Sequence, residues 1–116
     1  MIQKIRFNVS CSYYEDDGPE SFRDGIRDFR RGIEKFVQKH VREEPEDGYE
    51  EFGSGYLVLQ LKKAQTQVEL SSTIEKELVP ELSALTEFSS WRPGEQEVED
   101  TYVIDVFLEL EEGDEE

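Results

Sequence analysis

Cysteine occurs once, at Cys11, histidine once, at His40, and basic residues are outnumbered 29 to 13 by acidic ones. Each scarcity excludes something. A lone cysteine cannot close a disulfide within the chain. One cysteine and one histidine cannot supply a four-ligand zinc cage without several carboxylates. No stretch approaches the roughly 18 to 20 apolar residues of a membrane span, and no apolar h-region follows Met1, so a reducing cytoplasmic setting with no membrane partner is expected. The shortage of lysine and arginine leaves a formal net charge of −16. A polyanion repels phosphate, which argues against direct binding of nucleic acid.

Motifs for chemistry are missing as well. Neither Asp16-Asp17-Gly18 nor Glu46-Asp47-Gly48 has the alternating acids, sixth-position glycine and twelfth-position glutamate of a calcium loop. Gly53-Ser54-Gly55 is too short for a phosphate loop, lacks the following lysine, and reads as a turn or hinge. His40 has no nucleophile and orienting acid beside it in sequence, so a structural or capping role is expected. Cys11 falls in phase with Ile5 and Phe7 and reads as a buried, inert thiol. The expectation is a protein that is not an enzyme, with no metal and no cofactor.

What is present is a chain of 116 residues, 11% aromatic, whose apolar residues fall in periodic blocks. That length and patterning predict one folded domain over 1–110, with an acidic tail over 111–116. Residues 2–14 alternate, with Ile5, Phe7, Val9, Cys11 and Tyr13 on one side and Lys4, Arg6, Asn8 and Ser10 on the other, the period of a half-buried strand. Phe22, Ile26, Phe29, Ile33, Phe36, Val37 and Val41 recur at helical spacing, which predicts one amphipathic helix over 20–42. The acid-rich stretch 43–55 reads as a loop, and 56–70 as a hairpin. Ser72-Thr73-Ile74-Glu75 has the spacing of a capping box. The helical spacing that follows it is interrupted at Pro80, which predicts a kink or two short helices. Trp91-Arg92-Pro93-Gly94 reads as a turn. Residues 98–110 read as a last strand with Tyr102, Ile104, Val106 and Leu108 on one face and Asp105 and Glu109 on the other.

The predicted order β-α-β-β-α-β favours an α+β, ferredoxin-like sandwich: a four-stranded antiparallel sheet, both helices on one face, the first strand central and the last beside it. Lys4 and Arg6 would then stand near Asp105 or Glu109. RNA readers of this fold stack bases on rings of the central strands, and the first strand offers none on that face. The fold alone fixes no function.

Charge is unevenly placed. Residues 20–42 carry a net +3, whereas 43–116 carry −18. Glu43, Glu44, Glu46, Asp47, Glu50 and Glu51 form one acidic cluster. Glu109, Glu111 and Glu112 belong to a second. One reading is a solvated surface that keeps a small protein soluble or suits it to high salt. The sharper reading is a surface for a basic partner, such as a nuclease or other nucleic-acid-handling enzyme, bound and inhibited because carboxylates imitate phosphates. In size, acidity and lack of catalytic motifs the chain resembles phage DNA-mimic proteins, nuclease immunity proteins and anti-defence inhibitors, a likeness of composition without an alignable motif. The alternative is a structural or assembly subunit, a homodimer or viral-particle component, joined through open sheet faces or edge strands.

Overall fold

Alternation along the first strand organises the structure. Ile5, Phe7 and Val9 are buried on one side of β1 (Ile2–Ser12), while Lys4, Arg6, Asn8 and Ser10 remain at least partly exposed on the other. The structure, a computed structural model, describes residues 1–12, 26–51, 54–85, 88–94 and 100–109. After β1 come helices α1 (26–32) and α2 (Glu34–His40) and strands β2 (Glu46–Glu51) and β3 (Ser54–Gln65). Helices α3 (Gln67–Thr73) and α4 (Val79–Ser83) and strands β4 (Phe88–Pro93) and β5 (Thr101–Glu109) follow. Phe22, Tyr13, the 111–116 tail and Gly53 lie outside the described residues, and the side chain of Cys11 does too.

The fold is α+β, as expected, but its sheet has five strands in the order β2-β3-β1-β5-β4. It is mixed rather than antiparallel: β1 pairs antiparallel with β3 and parallel with β5. The four-stranded ferredoxin-like arrangement is thus corrected, and the reason is one strand. Residues 88–93, read as an unassigned stretch and a turn, form β4, antiparallel to β5 on the outer edge. An additional strand before the last one reverses the direction in which that last strand enters. β5 therefore lies beside β1, where the final strand was expected, but runs parallel to it.

The hairpin also moves. β2 and β3 pair antiparallel, so the hairpin spans the stretch read as a loop, and β3 runs unbroken to Gln65. Thr66 ends it by opening α3 with a capping box: its hydroxyl accepts from the Glu69 N–H at 3.1 Å and Glu69 Oε1 accepts from the Thr66 N–H at 3.1 Å. Two otherwise orphaned donors are satisfied there, which outweighs the strand propensity of the Val68 region. The Ser72–Glu75 spacing lies inside the continuing helical segment and starts nothing.

Pro80 has the expected effect of interrupting the helix. A π-helical turn, Ile74–Leu78, joins α3 to α4, and Pro80 sits in the first turn of α4. A widened turn accommodates the ring and the missing N–H without ending the helical path.

The long helix expected over 20–42 is broken near Ile33. Gly32 contributes weak helix propensity, and the N–H groups of Lys35 and Phe36 turn to Glu81 of α4, at 3.2 and 2.9 Å, instead of continuing the ladder. A carboxylate on one helix thereby caps another. Gly32 serves a second purpose: a Cβ there would fall 2.0 Å from Leu85 Cδ2, so any larger residue must displace the Leu85 side chain.

One side of the sheet carries the core. Ile5 and Phe7 of β1, Leu57 and Leu59 of β3, and Ile104 and Val106 of β5 pack with Phe29, Ile33 and Phe36, and with Leu70, Ile74, Leu78 and Leu82. Phe7 and Phe29 meet edge to face at 5.1 Å. Burying each such side chain contributes about 1.5–3 kcal/mol. All helices therefore lie on one face, and the other face of the sheet is uncovered among the described residues.

Candidate protein-binding surface

The acidic stretch leaves α2 through an isolated bridge between Val41 and Leu61, then passes Glu43 and Glu44, both exposed, into β2. Its placement on an edge strand decides where each carboxylate stands. Glu46 is opposite Val58, on the uncovered face of the sheet. Asp47 is opposite Leu57 and turns toward the helices, where Arg30 Nη1 donates to it at 2.8 Å. Arg30 Nη2 also lies 3.6 Å from Glu44 Oε2. One guanidinium thus anchors two of the six carboxylates, with a charge-assisted bond at the shorter contact. Glu50 and Glu51 lie further along β2, with Glu51 opposite Ser54.

Glu109 ends β5, opposite Ser12 of β1, and is exposed. Glu51 and Glu109 are therefore at the same end of the sheet, with β3 and β1 between them. Three strand spacings and an offset of two residues along the strands put their backbones about 16 Å apart. Glu111 and Glu112 lie outside the described residues. Only the Glu51 end of the first cluster lies near Glu109: Glu46 is level with Arg6 and Val103, six residues along β5 from Glu109, and Glu43 and Glu44 precede it, so the two clusters stay apart.

His40, for which a structural or capping role is expected, lies between a ring and a carboxylate. Its ring lies 4.7 Å from that of Phe36, and Nε2 is 3.0 Å from Glu77 Oε1, to which Lys39 Nζ also donates at 3.0 Å. These bonds, that from His40 foremost and that from Lys39 next, hold the Glu77 carboxyl below its ordinary value of 4.5 against the opposing effect of partial burial.

The uncovered face carries a network that the sequence reading missed. Arg6 Nε donates to Asn8 Oδ1 at 2.9 Å, Asn8 Nδ2 donates to Asp105 Oδ1 at 3.2 Å, and Arg92 Nε is 3.5 Å from Asp105 Oδ2. The expected pairing of Lys4 and Arg6 with Asp105 is replaced by this relay through Asn8, because the parallel register sets Asn8, not Arg6, opposite Asp105. Arg6 also lies over the Tyr56 ring, 4.7 Å from its centroid. A ring does stand beside the first strand, then, but it comes from β3. Gly48, across from Tyr56 on β2, admits it: a Cβ there would fall 2.8 Å from the Tyr56 hydroxyl. The alternation of 56, 58 and 60 was the available signal, once 56–65 is read as one strand.

A shallow groove of about 460 Å³ runs beside this network, lined by Ser10, Ser90, Arg92, Asp105 and Phe107 among others. A second, of about 420 Å³, lies between the helical Arg27, Arg30 and Arg31 and the acidic loop at Glu44 and Pro45. Among the described residues no group of three or more His, Cys, Asp or Glu is placed to hold a metal ion, and no helix is long and apolar enough to cross a membrane. Comparison with protein families, curated proteins and solved structures found no match to the chain.

Proposed function

We propose that this chain is a small acidic, non-enzymatic protein that binds and inhibits a basic protein of the nucleic-acid-handling kind. The observation that carries the reading is the double contact of Arg30 with Asp47 and Glu44. It holds the acidic loop against the helices, so that Glu43 and Glu46 are presented from a fixed backbone on a sheet edge. Carboxylates held at defined positions can meet lysines and arginines spaced for phosphates at less entropic cost than a mobile tail. Glu109, near the Glu51 end of β2, adds a separate negative point at the far end of the sheet. Opposite potentials speed encounter and make binding strongly salt-dependent.

The experiment is a low-salt capture from a host lysate with the full chain, eluted by a salt step and repeated in the presence of duplex DNA. A nucleic-acid-handling protein that elutes with salt, and that DNA displaces, supports mimicry. The decisive variant reverses Glu43, Glu44, Glu46, Glu50 and Glu51 to lysine and leaves Asp47 with Arg30. Its capture should be lost while its circular dichroism is kept. Undiminished capture by that variant places the contact elsewhere and defeats the reading.

A further inference from the structure

The uncovered face of the sheet differs from the rest of the molecule. Among the described side chains, Lys4, Arg6 and Arg92 stand there against Glu46, Asp105 and Glu109, a balanced set in a chain of net charge −16. Between them lie half-buried Val58, Tyr56, Val103 and Phe107. A face without net charge steers neither a polycation nor a polyanion, and its mixture of tyrosine, arginine and apolar side chains is typical of the centre of an interface.

The order of the strands supplies the complement. β1 is the middle strand, with β3 and β5 flanking it and β2 and β4 outermost. A twofold axis parallel to β1, set between two stacked sheets about 10 Å apart, places β3 over β5 and β2 over β4. Val58, level with Arg6 and so with Val103, then lies over the second copy's Val103. Tyr56, level with Asn8 and so with Asp105, brings the Arg6 guanidinium on its ring under the second copy's Asp105. Glu46 approaches the second copy's Arg92, displaced by one pleat repeat, about 7 Å, along the strands. The rotation of about 30° at which sheets pack, together with the length of an arginine side chain, covers that offset. Three contacts on each side of the axis are complementary by this symmetry, Val58 on Val103, Arg6 near Asp105 and Glu46 near Arg92, while on the axis itself the residues of β1 meet their own copies, and Arg6 is turned aside there onto the Tyr56 ring.

We propose that two copies of this chain pair through these uncovered sheet faces, β1 over β1, as an isologous dimer. The pairing shares Glu46 with the acidic surface assigned to a basic partner, but sedimentation of the chain by itself reads the pairing alone. Sedimentation equilibrium of the full chain should show a monomer–dimer equilibrium. Glu46→Arg and Arg92→Glu should each weaken it about tenfold or more, because each swap sets like charges together at two symmetric points. The double swap, E46R with R92E, should restore association. Arg92→Glu also faces Asp105 within its own chain, and that repulsion persists in the double variant, so recovery can come only from contact between copies. Val103→Lys should abolish the dimer and leave the circular dichroism of the monomer unchanged. A monomer at every concentration up to about 1 mM overturns the proposal. So does a dimer indifferent to both single swaps, which would join through the edge strands, or a double swap that fails to recover.

Discussion

Gly32 shows how one missing side chain can position two helical units. Helix propensity alone favours alanine over glycine by about 1 kcal/mol. Here the added methyl would sit 2.0 Å from Leu85 Cδ2 and 3.0 Å from its Cγ, so more than the tip of that side chain must move. Leu85 packs against the core, and overfilling such a site costs about 1–3 kcal/mol. Gly32→Ala should therefore lower the urea midpoint of unfolding. In a Leu85→Ala background the clash is gone and only the propensity remains, so the same substitution should become neutral or stabilising. Equal effects in both backgrounds would show that the two residues are not coupled in this way. Asp47 teaches the same lesson in a polar setting. Its identity as an acid in a cluster is plain in the chain, but its partner Arg30 lies 17 residues away and is found only when β2 is seen to turn that side chain toward the helices.

The bond from α2 to the π-helical turn carries a pH dependence whose sign is fixed by Glu77. Its carboxyl titrates below the ordinary 4.5 in the folded chain because His40 and Lys39 bond its charged form. The resulting stability is present in full above the unfolded value and is lost as the pH falls through the lower, folded value. Glu77→Gln should then be less stable than the parent at neutral pH, and the gap should close as the pH falls below 4.5. With the Glu77 side chain 34% exposed, screening keeps the gap to under about 1 kcal/mol. Urea midpoints measured across that range check it, and a gap that widens on acidification would contradict it. The elements this bond joins were unequally legible. β1, β5 and the inward face of α1 and α2 follow from apolar period alone, since Ile5, Phe7, Ile26, Phe29, Ile104 and Val106 all face one core. The start of α3 was hidden because Thr66 to Leu70 alternates like a strand, although Val68 is 80% exposed and only the reciprocal bonds of Thr66 and Glu69 select the helix. β4 was hidden because Pro93 and Gly94 signal a turn, whereas an edge strand tolerates a terminal proline with no partner for its missing N–H. The split between α1 and α2 depends on Glu81, a residue some 45 positions further along that no local pattern connects to Phe36.

The charge of the molecule as a whole leads to a prediction that no single contact controls. Even if each of the 13 lysines and arginines neutralised one of the 29 acids, the whole surplus of 16 would remain. The structure makes this sharper: Arg30 and the Lys39–His40 pair are engaged within the fold, so they do not relieve the rim at Glu43, Glu46 and Glu109. Neighbouring carboxylates of the acidic loop and β2, Glu43, Glu44 and Glu46, then repel one another at separations comparable to the Debye length of about 10 Å at 0.1 M salt. Raising the ionic strength toward 1 M shortens that length to about 3 Å and removes the repulsion, while the closer Arg30–Asp47 bond at 2.8 Å is weakened far less. The melting temperature should therefore climb with monovalent salt, by similar amounts in sodium and potassium chloride, since screening depends on ionic strength and not on the ion. The lysine-reversed variant of Glu43, Glu44, Glu46, Glu50 and Glu51 should show a shallower climb, because its rim is no longer uniformly negative. A melting temperature flat across the salt range, or a slope equal in the two proteins, would mean that the acids are neutralised within the fold, and a surface so neutralised could not attract a basic partner.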